Sequence, residues 1–166
     1  MVAILEGFGA WVSGFPFSQF IRESTWLWPA CEILHFCGLS LIVGVAGFFD
    51  LRLLGFFRGV PLGAAWALMP WAKAGFALAA LTGMVFFVGT PGQYLGNRAF
   101  FFKVVFLAIA GGNAWFFSTR YGRDVLEDQA GDRVPAAYKR IAAVSLVAWF
   151  FVIYWGRMLP FIGNAF

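Results

Sequence analysis

Four long apolar stretches, separated by short segments that hold most of the charged residues, constrain the fold of this chain more than any other feature. Each stretch reaches the roughly 20 apolar residues that an α-helix needs to cross the hydrocarbon core of a bilayer. The pattern therefore predicts an all-α integral membrane protein, a four-transmembrane-helix bundle that forms one membrane domain over residues 1–166. The four predicted spans cover residues 26–49, 64–88, 99–119 and 141–160.

The composition excludes most other classes of protein. Only 12% of the 166 residues are charged and 61% are hydrophobic, whereas a water-soluble domain carries about 25% charged residues. Glycine and proline are scattered among bulky apolar residues, which argues against disorder. The net charge of +4 is typical of a membrane protein with basic cytoplasmic loops. We therefore expect the lipid bilayer as a partner, and no nucleic acid.

The sequence also predicts the structure of two segments outside the spans. Residues 1–21 are apolar but interrupted by Gly14 and Pro16, which predicts a segment that lies along the membrane interface. This segment also lacks a basic beginning and a small-residue cleavage site, so we expect it to be retained. Residues 120–140 mix acidic and basic side chains and are predicted to form a solvated loop or short surface helix on the cytoplasmic side.

The distribution of lysine and arginine predicts the orientation of the bundle. The side that holds the connections between spans one and two and between spans three and four carries most of the basic residues. These are Arg52, Arg58, Arg120, Arg123, Arg133, Lys139 and Arg140. The opposite side carries Arg22, Arg98 and Arg157, with Lys103 just inside span three. Because cytoplasmic loops are enriched in basic residues, both termini are predicted to be periplasmic, in a bacterial inner membrane.

Five ionisable side chains fall within or near the ends of the spans, where an unpaired charge is costly. They are Glu32, His35, Lys73, Lys103 and Arg157, and they are the candidate binding residues. Glu32, Lys103 and Arg157 are expected about 9, 6 and 5 Å inside the same end of the bundle. We therefore predict an ion pair of Glu32 with Lys103 or Arg157; snorkelling at the headgroups is the alternative. Lys73 is predicted near the middle of the bilayer, where it is neutral, paired with Glu32, or bound to an anionic group such as a haem propionate or a substrate carboxylate.

His35 is the single histidine of the chain, and it shares one helical stripe with Cys31 and Glu32. An imidazole ligates haem iron, copper or zinc, relays a proton, or donates to a quinone oxygen; a hydrogen-bonded interior histidine is the alternative. With one histidine, a haem needs an open site, a second ligand such as Met84 or Met158, or the His35 of a second copy. The thiol of Cys31 also suits Cu(I), so Cys31 and His35 are the candidate metal ligands.

Small residues recur at helix-packing spacing within the spans, which predicts close contacts between helices. They include Ser40 and Gly44 in span one, Gly75, Ala79 and Gly83 in span two, and Ala108 and Gly112 in span three. These faces either pack the spans of one subunit together or form a seam between two copies.

Two further features are predicted to be structural. Asp50, Arg52 and Asn113 are expected to form a second polar cluster that locks the other end of the bundle. Cys31 and Cys37 lie six residues apart in one helix and point to different sides of it, so we expect no disulfide between them.

The residues around the candidate site resemble a known family. The run Trp28-Pro29-x-x-Glu32-x-x-His35 and the later segment Ala99-Phe100-x-x-Lys103 are similar to a family of small four-span bacterial inner-membrane proteins that has no assigned activity. More distantly, a histidine early in span one and a lysine early in span three resemble the CopD-like copper-resistance proteins and the HemJ-like haem-binding protoporphyrinogen oxidases. The resemblance implies roles for Glu32, His35, Lys73 and Lys103.

These features predict a redox-linked membrane subunit that binds haem b or a quinone at the five candidate residues, with His35 as ligand or hydrogen-bond partner. One alternative is a membrane transport protein for copper or another small solute, which uses Cys31, Glu32 and His35. Another is a non-catalytic scaffold that holds partner membrane subunits or assembles into a homo-oligomer. The sequence leaves open whether the protein is an enzyme.

Overall fold

The computed structural model describes residues 2–127 and 134–162, and within these ranges every regular element is an α-helix. In chain order the helices are α1 (Val2–Ser13), α2 (Pro16–Glu23), α3 (Leu27–Leu54), α4 (Leu62–Trp66), α5 (Met69–Gly89), α6 (Pro91–Leu95), α7 (Arg98–Glu127) and α8 (Ala136–Met158). This arrangement confirms the predicted all-α class.

Four segments are long and apolar enough to cross a membrane, which confirms the predicted four-span bundle. They are Leu27–Leu54, Leu62–Gly89, Arg98–Val125 and Ala136–Met158. In the most apolar part of each segment, between 11% and 28% of the residues are buried inside the protein, so most apolar side chains face outwards. Such a surface is a liability in water, and it is the surface expected of helices surrounded by lipid tails.

Glycine and proline set two of the helix ends. α3 ends at Leu54 because Gly55 adopts the left-handed conformation, with φ of 103°, that commonly follows the last turn of a helix. At the other end of the bundle, Pro91 starts α6 immediately after α5 ends. Proline has no N–H to donate to the preceding turn, and its fixed φ suits the first turn of a new helix.

α7 ends later than the sequence predicts. It was expected to end at residue 119 and continues through Glu127, so the first part of the segment 120–140 is helical. Gly122 lies against Trp66 of α4, where an added Cβ would be 3.2 Å from Cζ2 of the indole. Val125 is buried in the same region. These contacts stabilise about two further turns of helix; residues 128–133 lie outside the described residues.

The spans pack in the order α5, α3, α8 and α7. α3 and α5 approach most closely at Gly38 and Gly75, where a Cβ added to either glycine would lie 2.7 Å from the carbonyl oxygen of the other. This contact confirms the packing role predicted for Gly75. Gly44 and Gly112, by contrast, have no neighbouring atom within 4 Å of an added Cβ, so they do not pack the spans of one chain together.

A buried cluster joins α3, α4, α7 and α8 at one end of the bundle. Its members are Phe49, Leu53, Leu62, Ala65, Phe117, Val125, Tyr138 and Ala142. We call the half of the bundle that contains this cluster the Asp50 half, made of residues 41–54, 62–76, 112–127 and 136–147. The opposite half is the His35 half, made of residues 27–40, 77–89, 98–111 and 148–158.

Polar side chains in the Asp50 half tie separate elements to one another. The guanidinium of Arg52 donates to the carbonyl of Val60 in the connection between α3 and α4. The amide of Asn113 on α7 donates to the carbonyl of Ile141 on α8, at 3.1 Å. Neither side chain bonds to Asp50 in the part of the chain that the structure describes. The predicted locking role fits these bonds, but the three residues do not form one cluster.

α1 and α2 pack on the end of the His35 half, against α5 and α6. Ser18 donates a hydrogen bond to the carbonyl of Val88 at 2.7 Å, and Arg22 donates to the carbonyl of Gly89 and to the hydroxyl of Ser18. The exposed side chains of the two helices are largely apolar, and they include Ile4, Phe8, Trp11, Phe17 and Phe20. Helices that are held at the end of a span and apolar outwards fit the predicted interfacial position.

Candidate functional site

A hydrogen bond between α3 and α5 positions His35. Its Nδ1 lies 2.8 Å from the hydroxyl oxygen of Thr82, which is buried and also lies 2.8 Å from the carbonyl oxygen of Leu78. A threonine within a helix commonly donates its one hydroxyl proton to such a carbonyl, so its oxygen is left to accept from Nδ1–H. The hydrogen-bond network therefore assigns the proton of the neutral imidazole to Nδ1, and Nε2 keeps a lone pair.

Neighbouring side chains limit the rotation of the imidazole. The ring of Phe86 meets it edge-on, with ring centroids 5.7 Å apart, and Phe86 in turn packs on Trp28 at 4.9 Å. At Gly83, an added Cβ would lie 3.7 Å from Cε1 of His35, so the backbone of α5 also supports the ring. His35 itself is half-buried. The imidazole is thus held in place without being sealed inside the protein.

Lys103 brings a positive charge from α7 towards His35. Its side chain runs along Gly156 of α8, where an added Cβ would lie 3.8 Å from Nζ, and its ammonium group is within electrostatic range of the imidazole of His35. Within residues 2–127 and 134–162 Lys103 forms no salt bridge and no side-chain hydrogen bond. The ammonium group is therefore free to bind an anionic or carbonyl oxygen close to His35.

The predicted ion pair of Glu32 with Lys103 or Arg157 is wrong. No salt bridge joins these side chains, all of which the structure describes. Glu32 is exposed and acts instead on Tyr94 of α6: burial raises the pKa of the Tyr94 phenol, and the negative charge of Glu32 raises it further. Arg157 is exposed and lies over the ring of Phe161, 5.1 Å from its centroid. The three side chains have similar predicted depths in the bundle, but they do not point towards one another.

Lys73 lies away from His35. It lies about 16 Å from the start of the span-like segment Leu62–Gly89, and its predicted position near the middle of the bilayer stays a prediction. It is exposed in the Asp50 half and forms no ion pair with any described residue. About 14 Å of helix separates Lys73 from Thr82. Lys73 is therefore not part of the group around His35.

The candidate metal ligands do not form a chelating group. Cys31 is buried one turn before His35, Cys37 is exposed, and both are free thiols. The residues that the structure describes contain no group of three His, Cys, Asp or Glu side chains placed to hold a metal ion. Met84, a possible thioether ligand, is exposed on α5. A copper site made of Cys31, Glu32 and His35 has no support in this geometry.

Two residues near the site are not singled out by the sequence analysis. Thr82 is a lone hydroxyl in an apolar span, and that signal was overlooked. Trp155 of α8 stacks on Phe102 of α7 with ring centroids 4.7 Å apart, and its buried Nε1–H has no hydrogen-bond partner among the described residues. It directly precedes Gly156, which Lys103 contacts. Tryptophan is common in spans near the membrane interface, so its presence there does not by itself indicate a group that binds a ligand.

α5 and α7 are joined near their ends rather than along their length. At the end of the His35 half, the rings of Phe87, Tyr94 and Phe100 lie 5.2 to 6.0 Å apart by centroids and connect α5, α6 and α7. At the other end α4 contacts α7. No extended interface between α5 and α7 exists in the described part of the chain. The helices that carry Thr82 and Lys103 therefore leave one side of the bundle unclosed.

No protein-family model, curated protein or solved structure matches this chain. The geometry around His35, Thr82 and Lys103 is therefore the basis of the proposed function.

Proposed function

We propose that this protein is a redox-linked membrane subunit that binds haem b or a quinone at His35. The observation that carries the proposal is the hydrogen bond between Nδ1 of His35 and the hydroxyl of Thr82. It leaves the lone pair of Nε2 free within a membrane-spanning segment. A histidine whose other nitrogen is fixed by a hydrogen bond is the usual arrangement for an axial metal ligand. The same lone pair accepts a hydrogen bond from the hydroxyl of a quinol.

The scarcity of other ligands favours haem or a quinone over copper. A copper ion needs several protein donors of suitable softness, and no such group surrounds His35 in the described residues. A haem takes only its axial ligands from the protein, and a quinone takes only hydrogen bonds. When bound, haem b would supply one-electron transfer, and a quinone would supply transfer of electrons together with protons.

Lys103 and Trp155 supply complementary groups for either cofactor. The ammonium of Lys103 has no salt-bridge partner, and the buried Nε1–H of Trp155 has no acceptor among the described residues. Both groups donate hydrogen bonds, which suits a carboxylate of haem or a carbonyl oxygen of a quinone. The flat rings of Phe86 and Trp28 suit a planar ligand. Glu32, Arg157 and Lys73 have no assigned role at this site.

The test is an absorption spectrum of the full chain, purified gently in detergent, with haem, quinone and metal contents measured on the same sample. We expect either a Soret band or a stoichiometric quinone, and we expect His35→Ala to abolish whichever is present. Lys73→Gln is the matched control, because Lys73 is exposed and distant from His35, and it should retain the cofactor. Lys103→Gln should weaken cofactor binding without abolishing it.

Other outcomes would contradict the proposal. A colourless and quinone-free sample that holds copper, and loses it in both Cys31→Ala and His35→Ala, would support the transport alternative. A sample without any ligand, for which cofactor loss during purification has been controlled, would leave the scaffold as the remaining hypothesis. A Soret band that survives His35→Ala would show that His35 is not the ligand.

The proposal includes a location and an assembly. We place the protein in a bacterial inner membrane with both termini in the periplasm, on the basis of the basic residues at the opposite end of the bundle. Reporter fusions to each terminus and to the segment 128–133 would test this orientation.

Because the chain has one histidine, a haem with two imidazole ligands would require a homo-oligomer or a partner subunit. Cross-linking of the purified protein would detect either.

A further inference from the structure

A second polar site lies in the Asp50 half, at the interface of α3 and α8. Asp50 is one turn from the end of α3 and only 6% exposed. The hydroxyl of Ser145 on α8, which is also 6% exposed, lies beside the carboxyl group of Asp50. The second carboxyl oxygen, Oδ2, is buried and has no hydrogen-bond partner among the described residues. The carboxyl group is thus almost fully removed from solvent with a single hydroxyl beside it.

An ionised carboxylate is poorly accommodated in this position. A carboxylate has two acceptor oxygens with room for about four hydrogen bonds, and burial of its charge is costly unless the group is paired and hydrogen-bonded. Here one oxygen accepts nothing. The neutral acid needs much less from its surroundings, since the proton on one oxygen removes the net charge. The geometry therefore favours the protonated form.

Among the side chains that the structure describes, no charged group on the neighbouring elements pairs with Asp50. The guanidinium of Arg52, on the same helix, donates to the carbonyls of Val60 and Arg58. The remaining charged side chains of the described part of this half are exposed. These are Lys73 on α5, Arg120, Arg123 and Asp124 on α7, and Lys139 and Arg140 on α8. None of them forms an ion pair with Asp50, so its charge has no counter-ion in the described residues.

We propose that Asp50, together with Ser145, is a proton-binding site: its carboxyl group carries a proton at neutral pH and exchanges it reversibly with the aqueous phase at this end of the bundle. The site is separate from His35, which lies about four helical turns, or about 22 Å, away along α3. The inference does not depend on which cofactor His35 binds. Ser145 is the positioning residue, because its hydroxyl lies beside the carboxyl group.

The experiment is infrared spectroscopy of the full chain in lipid nanodiscs, in H₂O and in D₂O. At neutral pH we expect the carbonyl stretch of a protonated carboxylic acid, shifted by deuteration and by labelling with ¹³C-aspartate. Raising the pH should remove the band, and lowering it should restore the band. Asp50→Asn should abolish it. Glu32→Gln is the matched control on the same helix, because Glu32 is exposed, and it should leave the band unchanged. Ser145→Ala should move its frequency.

Three results would overturn the proposal. The first is the absence of a protonated-acid band in the wild-type protein at neutral pH. The second is a band that neither Asp50→Asn nor ¹³C-aspartate affects. The third is a band that is missing in sodium buffer and appears when sodium is removed, which would indicate a bound cation instead of a proton. If Asp50→Asn does not fold, the isotope shift in the wild-type protein and the frequency change in Ser145→Ala decide the question.

Discussion

The two halves of the bundle use their interior side chains in different ways. In the Asp50 half, aromatic and aliphatic residues from four helices form a buried cluster, and Arg52 and Asn113 donate to backbone carbonyls of neighbouring elements. In the His35 half, Lys103 and Trp155 have polar groups without partners among the described residues. The first half stabilises the bundle around one buried carboxyl group, Asp50, whereas the second half holds the groups that we propose bind a cofactor.

The largest expected effect tests the stabilising role of the Asp50 half. Phe117 is 4% exposed, and its ring contacts those of Phe49 and Trp66. Phe117→Ala should lower the free energy of unfolding by about 3 kcal/mol, because it leaves a cavity in the cluster. Its neighbour Phe116 is 48% exposed, and Phe116→Ala should change stability by less than about 0.5 kcal/mol. Unfolding curves in detergent would measure the free energy of unfolding of both variants. Equal losses in Phe117→Ala and Phe116→Ala would contradict the stabilising role of the buried cluster.

The crossing of α3 and α5 joins the two halves and gives the next largest effect. Gly75→Ala places a Cβ 2.7 Å from the carbonyl oxygen of Gly38, so the helices must separate. We expect a loss of about 1–3 kcal/mol in the free energy of unfolding. Gly44→Ala is the matched control: it meets no neighbouring atom, and alanine favours a helix by up to about 1 kcal/mol over glycine. The two substitutions should therefore act in opposite directions, and a loss of similar size in both would contradict the close crossing.

The hydrogen bond between His35 and Thr82 allows a test of cofactor binding in the His35 half. Thr82→Val keeps the shape of the side chain but removes the acceptor for Nδ1–H. Loss of such a supporting bond typically weakens ligand binding by about 10- to 100-fold, so we expect a weaker cofactor affinity in that range. Thr90→Val is the control, because the hydroxyl of Thr90 donates to the carbonyl of Phe86 one turn earlier and does not bond to His35.

Nitrogen NMR gives an independent readout of the same bond. The chain has a single histidine, so a ¹⁵N-histidine label reports on His35 alone. In the ligand-free protein at neutral pH we expect Nδ1 protonated and Nε2 unprotonated, and we expect a mixture of tautomers in Thr82→Val. A wild-type spectrum with the proton on Nε2 would contradict the assignment.

The smallest expected effect concerns Tyr94, at the end of the His35 half. Burial and the charge of Glu32 raise the pKa of Tyr94 above its usual value. Because the folded state then holds the phenol proton more tightly than the unfolded state, stability should be constant below the unfolded pKa of about 10 and fall as the pH rises through the folded value. The phenolate absorbance, assigned by its loss in Tyr94→Phe, measures this pKa. Glu32→Gln should lower it slightly; no change would show that burial alone accounts for the shift.

The sequence predicts the four spans because bilayer thickness fixes their length and hydropathy marks their position. It predicts their ends less well. α7 continues to Glu127 because Gly122 packs against Trp66, and a contact between residues so far apart in the chain leaves no local signal.

The candidate site could be predicted only in part. An ionisable side chain in an apolar span is conspicuous, so His35 and Lys103 stand out from the sequence alone. The residues that contact His35 and Lys103 do not stand out from the sequence. Glu32 and Lys103 have similar depth, but depth gives no information on the direction of a side chain around its helix, and the predicted ion pair failed for that reason. Thr82 became significant only when the packing of α3 on α5 placed its hydroxyl against Nδ1 of His35.

The most direct test of the central claim is the cofactor content of three proteins purified in parallel: the wild type, His35→Ala and Asp50→Asn. The account predicts haem or quinone in the wild type and in Asp50→Asn, and neither in His35→Ala, because the proposed cofactor site is in the His35 half and Asp50 lies outside it. A wild-type protein without either cofactor, or a His35→Ala variant that retains one, would contradict the account.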